Sequence, residues 1–104
     1  MISFLLFGTE LPIDEAARRL AELTGQVLTA RSSDYYGDYY GDFLSGSGRP
    51  HLRIIENALD SEGYLPEEDF PDPAVLLYVD EPTPQLESLL QATDWLELLQ
   101  ATEY

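Results

Sequence analysis

The chain of 104 residues has no cysteine, no lysine and a single histidine. Without cysteine there is neither a disulfide framework nor a thiolate metal site, and a reducing compartment suits the composition. Five arginines face twenty Asp and Glu, for a formal net charge of −15. Phosphate contacts need Lys and Arg, so nucleic-acid binding is not expected, and anionic membranes are disfavoured for the same reason. The glycine-rich phosphate loop that ends in Lys and Ser or Thr has no counterpart. No run approaches about 18 apolar residues, so no membrane span is expected. Residues 1–7 are apolar but lack a positive flank and a small-residue cleavage site, so a signal peptide is not expected.

Catalytic machinery is equally scarce. A catalytic histidine needs an orienting carboxylate and usually a nucleophile nearby. His51 has Ser45 and Ser47 close in sequence, but no Gly-x-Ser-x-Gly elbow exists. It reads as a surface residue at the start of a strand. Paired carboxylates can do acid–base work, yet twenty acids single out no pair. Asp34, Asp38 and Asp42 are spaced by four, whereas a calcium loop of the EF-hand type needs acids two apart with Gly at position six and Glu at twelve. No enzyme activity, metal site or cofactor is expected; adventitious calcium binding by the acidic segments remains open.

What is present begins with charge and core. The apolar fraction of 44% suits one globular domain, residues 1–104, with a modest two-layer core. A charge of −15 is beyond what solubility of a small domain asks for. It suits a basic protein partner, because such a charge speeds encounter more than it sets affinity.

The most unusual stretch is Asp34-Tyr35-Tyr36-Gly37-Asp38-Tyr39-Tyr40-Gly41-Asp42, DYYG written twice and closed by Asp. As a helix it would stack three aspartates and bury two glycines mid-helix, which is unfavourable. As a strand it puts Asp34, Tyr36, Asp38, Tyr40 and Asp42 on one face. Tyrosine offers large, rigid contact area and Asp offers charge complementarity, so this face suits a basic partner. An irregular hairpin with glycine turns, its tyrosines covering a core edge, fits about as well. A second acidic segment, 60–72, carries Tyr64, Glu67, Glu68, Asp69 and Phe70. It reads either as a solvated loop or, beside the first segment, as the other half of one anionic, aromatic-studded patch.

Element by element, residues 2–7 form an apolar strand stopped by Gly8. An amphipathic helix over 12–24 follows, with Pro12 at its entrance, Asp14 and Glu15 in its first turn and Gly25 as its stop. Strands are expected at 26–31, through the DYYG repeat to about Leu44, at 51–57 and at 74–79, the last apolar on both faces. Ser45-Gly46-Ser47-Gly48 is a loop. Thr83-Pro84 starts a second helix. Trp95 to Tyr104 either extends that helix or, as we favour, turns at Thr93-Asp94 and returns as a strand. The order β-α-β-β-β-β-α-β implies an α+β two-layer domain. Its sheet is antiparallel-dominated, both helices lie on one face, and the plan is a split βαβ with an inserted hairpin. The opposite face is expected to be free for a partner.

The early strand and helix, Asp38-Tyr39-Tyr40-Gly41-Asp42, Ile54 to Asn57, and Glu67-Glu68-Asp69-Phe70-Pro71 leading into Val75-Leu76-Leu77-Tyr78-Val79 together resemble the small acidic immunity proteins of bacterial toxin systems. The resemblance covers most of the chain and lies in length, acidity and element order. It implies a cytoplasmic protein that binds and blocks a toxin domain, often a basic nuclease, without catalysis of its own. These families share no site motif, so the residue assignment rests on the acid–aromatic argument. Asp34, Asp38, Asp42, Glu67, Glu68 and Asp69 would supply charge, and Tyr36, Tyr40 and Tyr64 would supply anchors. Two other readings stand beside it. A nucleic-acid mimic would need a longer regular stripe of acids, and an open tyrosine-rich edge strand could pair two copies into a homodimer.

Overall fold

The computed structural model describes residues 2–25, 28–33, 37–41, 51–59 and 62–103; for 2, 3, 29–33, 37–41, 51 and 103 it describes the backbone alone. The elements are β1 (Ile2–Thr9), α1 (Ile13–Thr24), β2 (Thr29–Ser33), β3 (Gly37–Gly41), β4 (His51–Glu56), β5 (Val75–Asp80), α2 (Pro84–Gln91) and β6 (Glu97–Glu103). They form a six-stranded sheet in the order β2-β3-β4-β5-β1-β6, with every neighbouring pair antiparallel.

The topology contains the expected split βαβ unit. β5 and β6 both run opposite to β1, which lies between them, so α2 joins two parallel strands across an intervening one. α1 makes the wider crossover, from β1 to β2, with β5, β4 and β3 in between. Local chemistry explains both helices. Thr83 accepts a hydrogen bond on Oγ1 from the Leu86 N–H at 3.1 Å, and Pro84 follows at the first helical position. α1 ends at Gly25, whose left-handed φ of 72° lets its N–H reach the Ala21 carbonyl at 2.9 Å.

Both helices pack on one face of the sheet. Ala16, Ala17 and Leu20 of α1 and Leu86 and Leu90 of α2 join Leu5, Phe7, Leu52, Ile54, Val75, Leu77 and Val79 in one core. The two alanines let α1 sit close to the sheet, and Leu20 is fully buried beneath it. After α2, Thr93 closes the turn by donating from Oγ1 to the Leu89 carbonyl at 2.8 Å. The chain then returns as β6, so the strand reading of the C-terminal segment is the one adopted.

Two expectations need correction. β2 begins at Thr29, three residues later than the alternation suggested, and ends at Ser33, two residues later, with 26 and 27 outside the described residues. Where β1, β4 and β5 form it, the sheet face away from the helices is not free. Leu6, Ile55, Leu76 and Tyr78 line it and are at most 6% exposed, with Phe4, Phe70 and Leu99 packed against them. The reason was already in β5, which is apolar on both sides. Leaving that second face in water would expose Leu76 and Tyr78, and burial of such side chains is worth about 1.5–3 kcal/mol each. Among the described residues, no helix is long and apolar enough to cross a membrane.

Candidate functional site

The site is built around an acidic strap, described over 57–59 and 62–73, that leaves β4 and returns into β5 across the second face. One side chain pins it. Asn57 donates from Nδ2 to the carbonyls of Phe70 and Pro73, each at 2.8 Å, while its own N–H meets the Ala74 carbonyl at 3.0 Å. Asparagine suits this post because its amide carries two donors on one nitrogen. Pro66, Pro71 and Pro73 keep the strap from continuing as helix or sheet. Phe70 then drops onto the Leu6, Ile55, Leu76 and Tyr78 cluster.

A second set of contacts fixes the middle of the strap. The Tyr78 hydroxyl donates to Glu67 Oε1 at 2.9 Å. Arg53 stands opposite Tyr78 in the β4–β5 register, with its guanidinium carbon 4.7 Å from the ring centroid. That is cation–π range, and the Phe4 ring lies 6.0 Å from the Tyr78 ring on the same face. Glu67 is therefore half-buried and engaged in holding the strap. Its neighbours are not. Glu68, Asp69 and Asp72 are exposed, and no described residue pairs with them. Tyr64 is 57% exposed and Leu59 66% exposed.

The other proposed half of the patch is placed in outline. Asp34, Tyr36 and Asp42 lie outside the described residues. Asp38 and Tyr40 fall in β3, which pairs Asp38 with Ser32 and Tyr40 with Ala30 and Ile54. Tyr39 occupies the register position of Ile55, two residues before Asn57. β3 and the strap thus share β4 as their frame: one pairs along it, the other departs from its end.

Charge elsewhere is partly neutralised. On α1, Arg18 meets Glu15 at 2.8 Å and Glu22 at 3.2 Å, and Arg19 meets Glu15 at 3.1 Å. The hydrogen bonds from Arg19 and Arg18 hold the Glu15 carboxyl below its ordinary pKa. Among the described residues, no group of three or more His, Cys, Asp or Glu is placed to hold a metal ion.

Sequence reasoning missed Asn57, Arg53 and Tyr78 as the fixings of the strap. The signal available was an Asn at a strand end before a proline-rich acidic run, together with a tyrosine inside an otherwise aliphatic strand. Comparison of the chain with protein-family models, curated proteins and solved structures finds no match.

Proposed function

We propose that this chain is a non-catalytic acidic binding protein that inhibits a basic toxin or nuclease domain by covering its active-site region, as an immunity protein does in the cytoplasm. The observation that carries this reading is the strap. The fold spends one carboxylate, Glu67, on holding the strap and leaves Glu68, Asp69 and Asp72 exposed beside Tyr64. Such a surface would steer a cationic partner by its field and anchor it by its aromatic. Asp38 and Tyr40, whose backbone lies in β3, are assigned to the same surface on the acid–aromatic argument. Asp34, Tyr36 and Asp42 belong to the same assignment.

Affinity capture tests it. The immobilised chain is exposed to a lysate of its source cells at low salt and eluted with salt. One basic protein should leave the column, and a variant with Glu68, Asp69 and Asp38 changed to the corresponding amides should retain less of it. Retention of many unrelated DNA-binding proteins would replace inhibition by mimicry of nucleic acid. A column that retains nothing at low salt would refute the reading.

A further inference from the structure

A cavity of about 340 Å³ opens at one end of the sheet, where β1 ends and β6 begins. It lies outside the strap's exposed acids and outside every residue assigned above to partner binding. Gly8 and Pro73 are among the residues that line it. A Cβ at position 8 would stand 2.7 Å from the Pro73 ring, so only glycine allows this close approach. Trp95 lines the cavity while packing partly against the helix-side core, which holds its ring in place. Around the opening stand Glu10, Asp94 and Glu97, all exposed. No hydrogen bond or ion pair with a described residue engages any of their side chains, and no cation is among the lining residues.

We infer that this cavity receives an arginine side chain of the basic partner. The inference rests on the binding reading given above and adds a second point of attachment to it. The chemistry selects the occupant. A half-buried indole with a fixed ring is the best aromatic acceptor for a cation, and a planar guanidinium can stack on it. Carboxylates at the rim match the guanidinium fork by bidentate hydrogen bonding. The volume lies near the lower end of small-molecule sites, about 300–1,000 Å³, which fits one long side chain rather than a folded element.

Trp95 is the only tryptophan of the chain, so its emission reports this cavity alone. The probe is the capped peptide acetyl-Gly-Arg-Gly-amide, titrated at low salt into the intact protein. A saturable change in Trp95 emission is expected, with no such change for the Gln-containing peptide. The D94N/E97Q variant should bind roughly twentyfold more weakly, at about fivefold per carboxylate. Removing two charges at the far end of the sheet, with D80N/E81Q, should change affinity less than twofold. The thermal transition of each variant checks folding, and Glu10→Gln gives a third, single-site variant. A linear response without saturation would overturn the inference. So would equal binding of the Gln peptide, or equal weakening by both double variants. Because the probe is a peptide, the cavity can pass this test while capture from the lysate fails, and the reverse, so the two readings fail separately.

Discussion

Along β1, β4 and β5 both faces of the sheet are buried, yet by different means. On the helix side, α1 and α2 cover an aliphatic core with side chains at or near zero exposure. On the other side, a non-helical strap covers Leu6, Ile55, Leu76 and Tyr78, held by Asn57, by the Tyr78–Glu67 hydrogen bond and by Phe70. The first face is stabilised by apolar area. The second combines apolar area with a few directional polar contacts, and its covering layer turns carboxylates outward. A layer fixed at few points can carry charge without disturbing the core beneath it.

The largest effect should come from the helix side. Leu20→Ala removes a fully buried side chain and should cost about 2–5 kcal/mol, read from the denaturant midpoint. Asn57→Ala strips the Phe70 and Pro73 carbonyls of their partner. It should cost about 2 kcal/mol, since net hydrogen bonds and unsatisfied carbonyls each count for about 1 kcal/mol or more. Amide hydrogen exchange should then rise across 62–73 while α1 and β5 stay protected. If the loss were spread evenly over both faces, the contrast between them would be wrong. Tyr78→Phe keeps the ring under Arg53 and removes the hydroxyl that bonds Glu67. With Glu67 half-buried it should cost about 1 kcal/mol, and more detachment than Asn57→Ala produces would move the main pin to Tyr78.

The smallest effect belongs to the exposed surface of α1. Glu15 has a lowered pKa in the fold, so its contribution is complete above its ordinary value and is lost as pH falls through the lowered one. Glu15→Gln should therefore melt slightly below wild type at neutral pH, with the two curves converging as pH drops below 4.5. A gap that stayed constant into acid would show that the arginine contacts contribute nothing through charge. Salt should narrow the gap, since these groups are exposed.

Much of this architecture was legible in the residues. The Ile13–Thr24 stripe, the Thr83-Pro84 start and the Val75–Asp80 run each carry a local signal, and local signals survive folding here. The return of β6 was legible only in part, since Leu96 and Leu99 keep helical spacing while the residues after Trp95 also alternate. The covering of the second face was not. It depends on where Asn57 and Phe70, 13 positions apart, meet, and no periodicity encodes such a meeting. Composition marked 60–72 as acidic, but only the Tyr78 hydroxyl divides Glu67, which holds the strap, from Glu68 and Asp69, which face water. The Trp95 cavity escaped for the same reason: Gly8, Pro73 and Trp95 are distant in sequence and adjacent only once β1 pairs with both β5 and β6.

The central claim is that the exposed charge serves a basic partner whose activity it blocks. The most direct measurement titrates this chain into the protein it captures and follows that partner's activity and the association rate at low and high salt. The account predicts activity falling to zero near one equivalent. It also predicts association that slows by at least about tenfold when salt rises from about 0.01 to 0.5 M, as screening contracts from about 30 Å to a few ångströms. A partner that stays fully active under excess chain, or that binds equally fast at both salts, would contradict it.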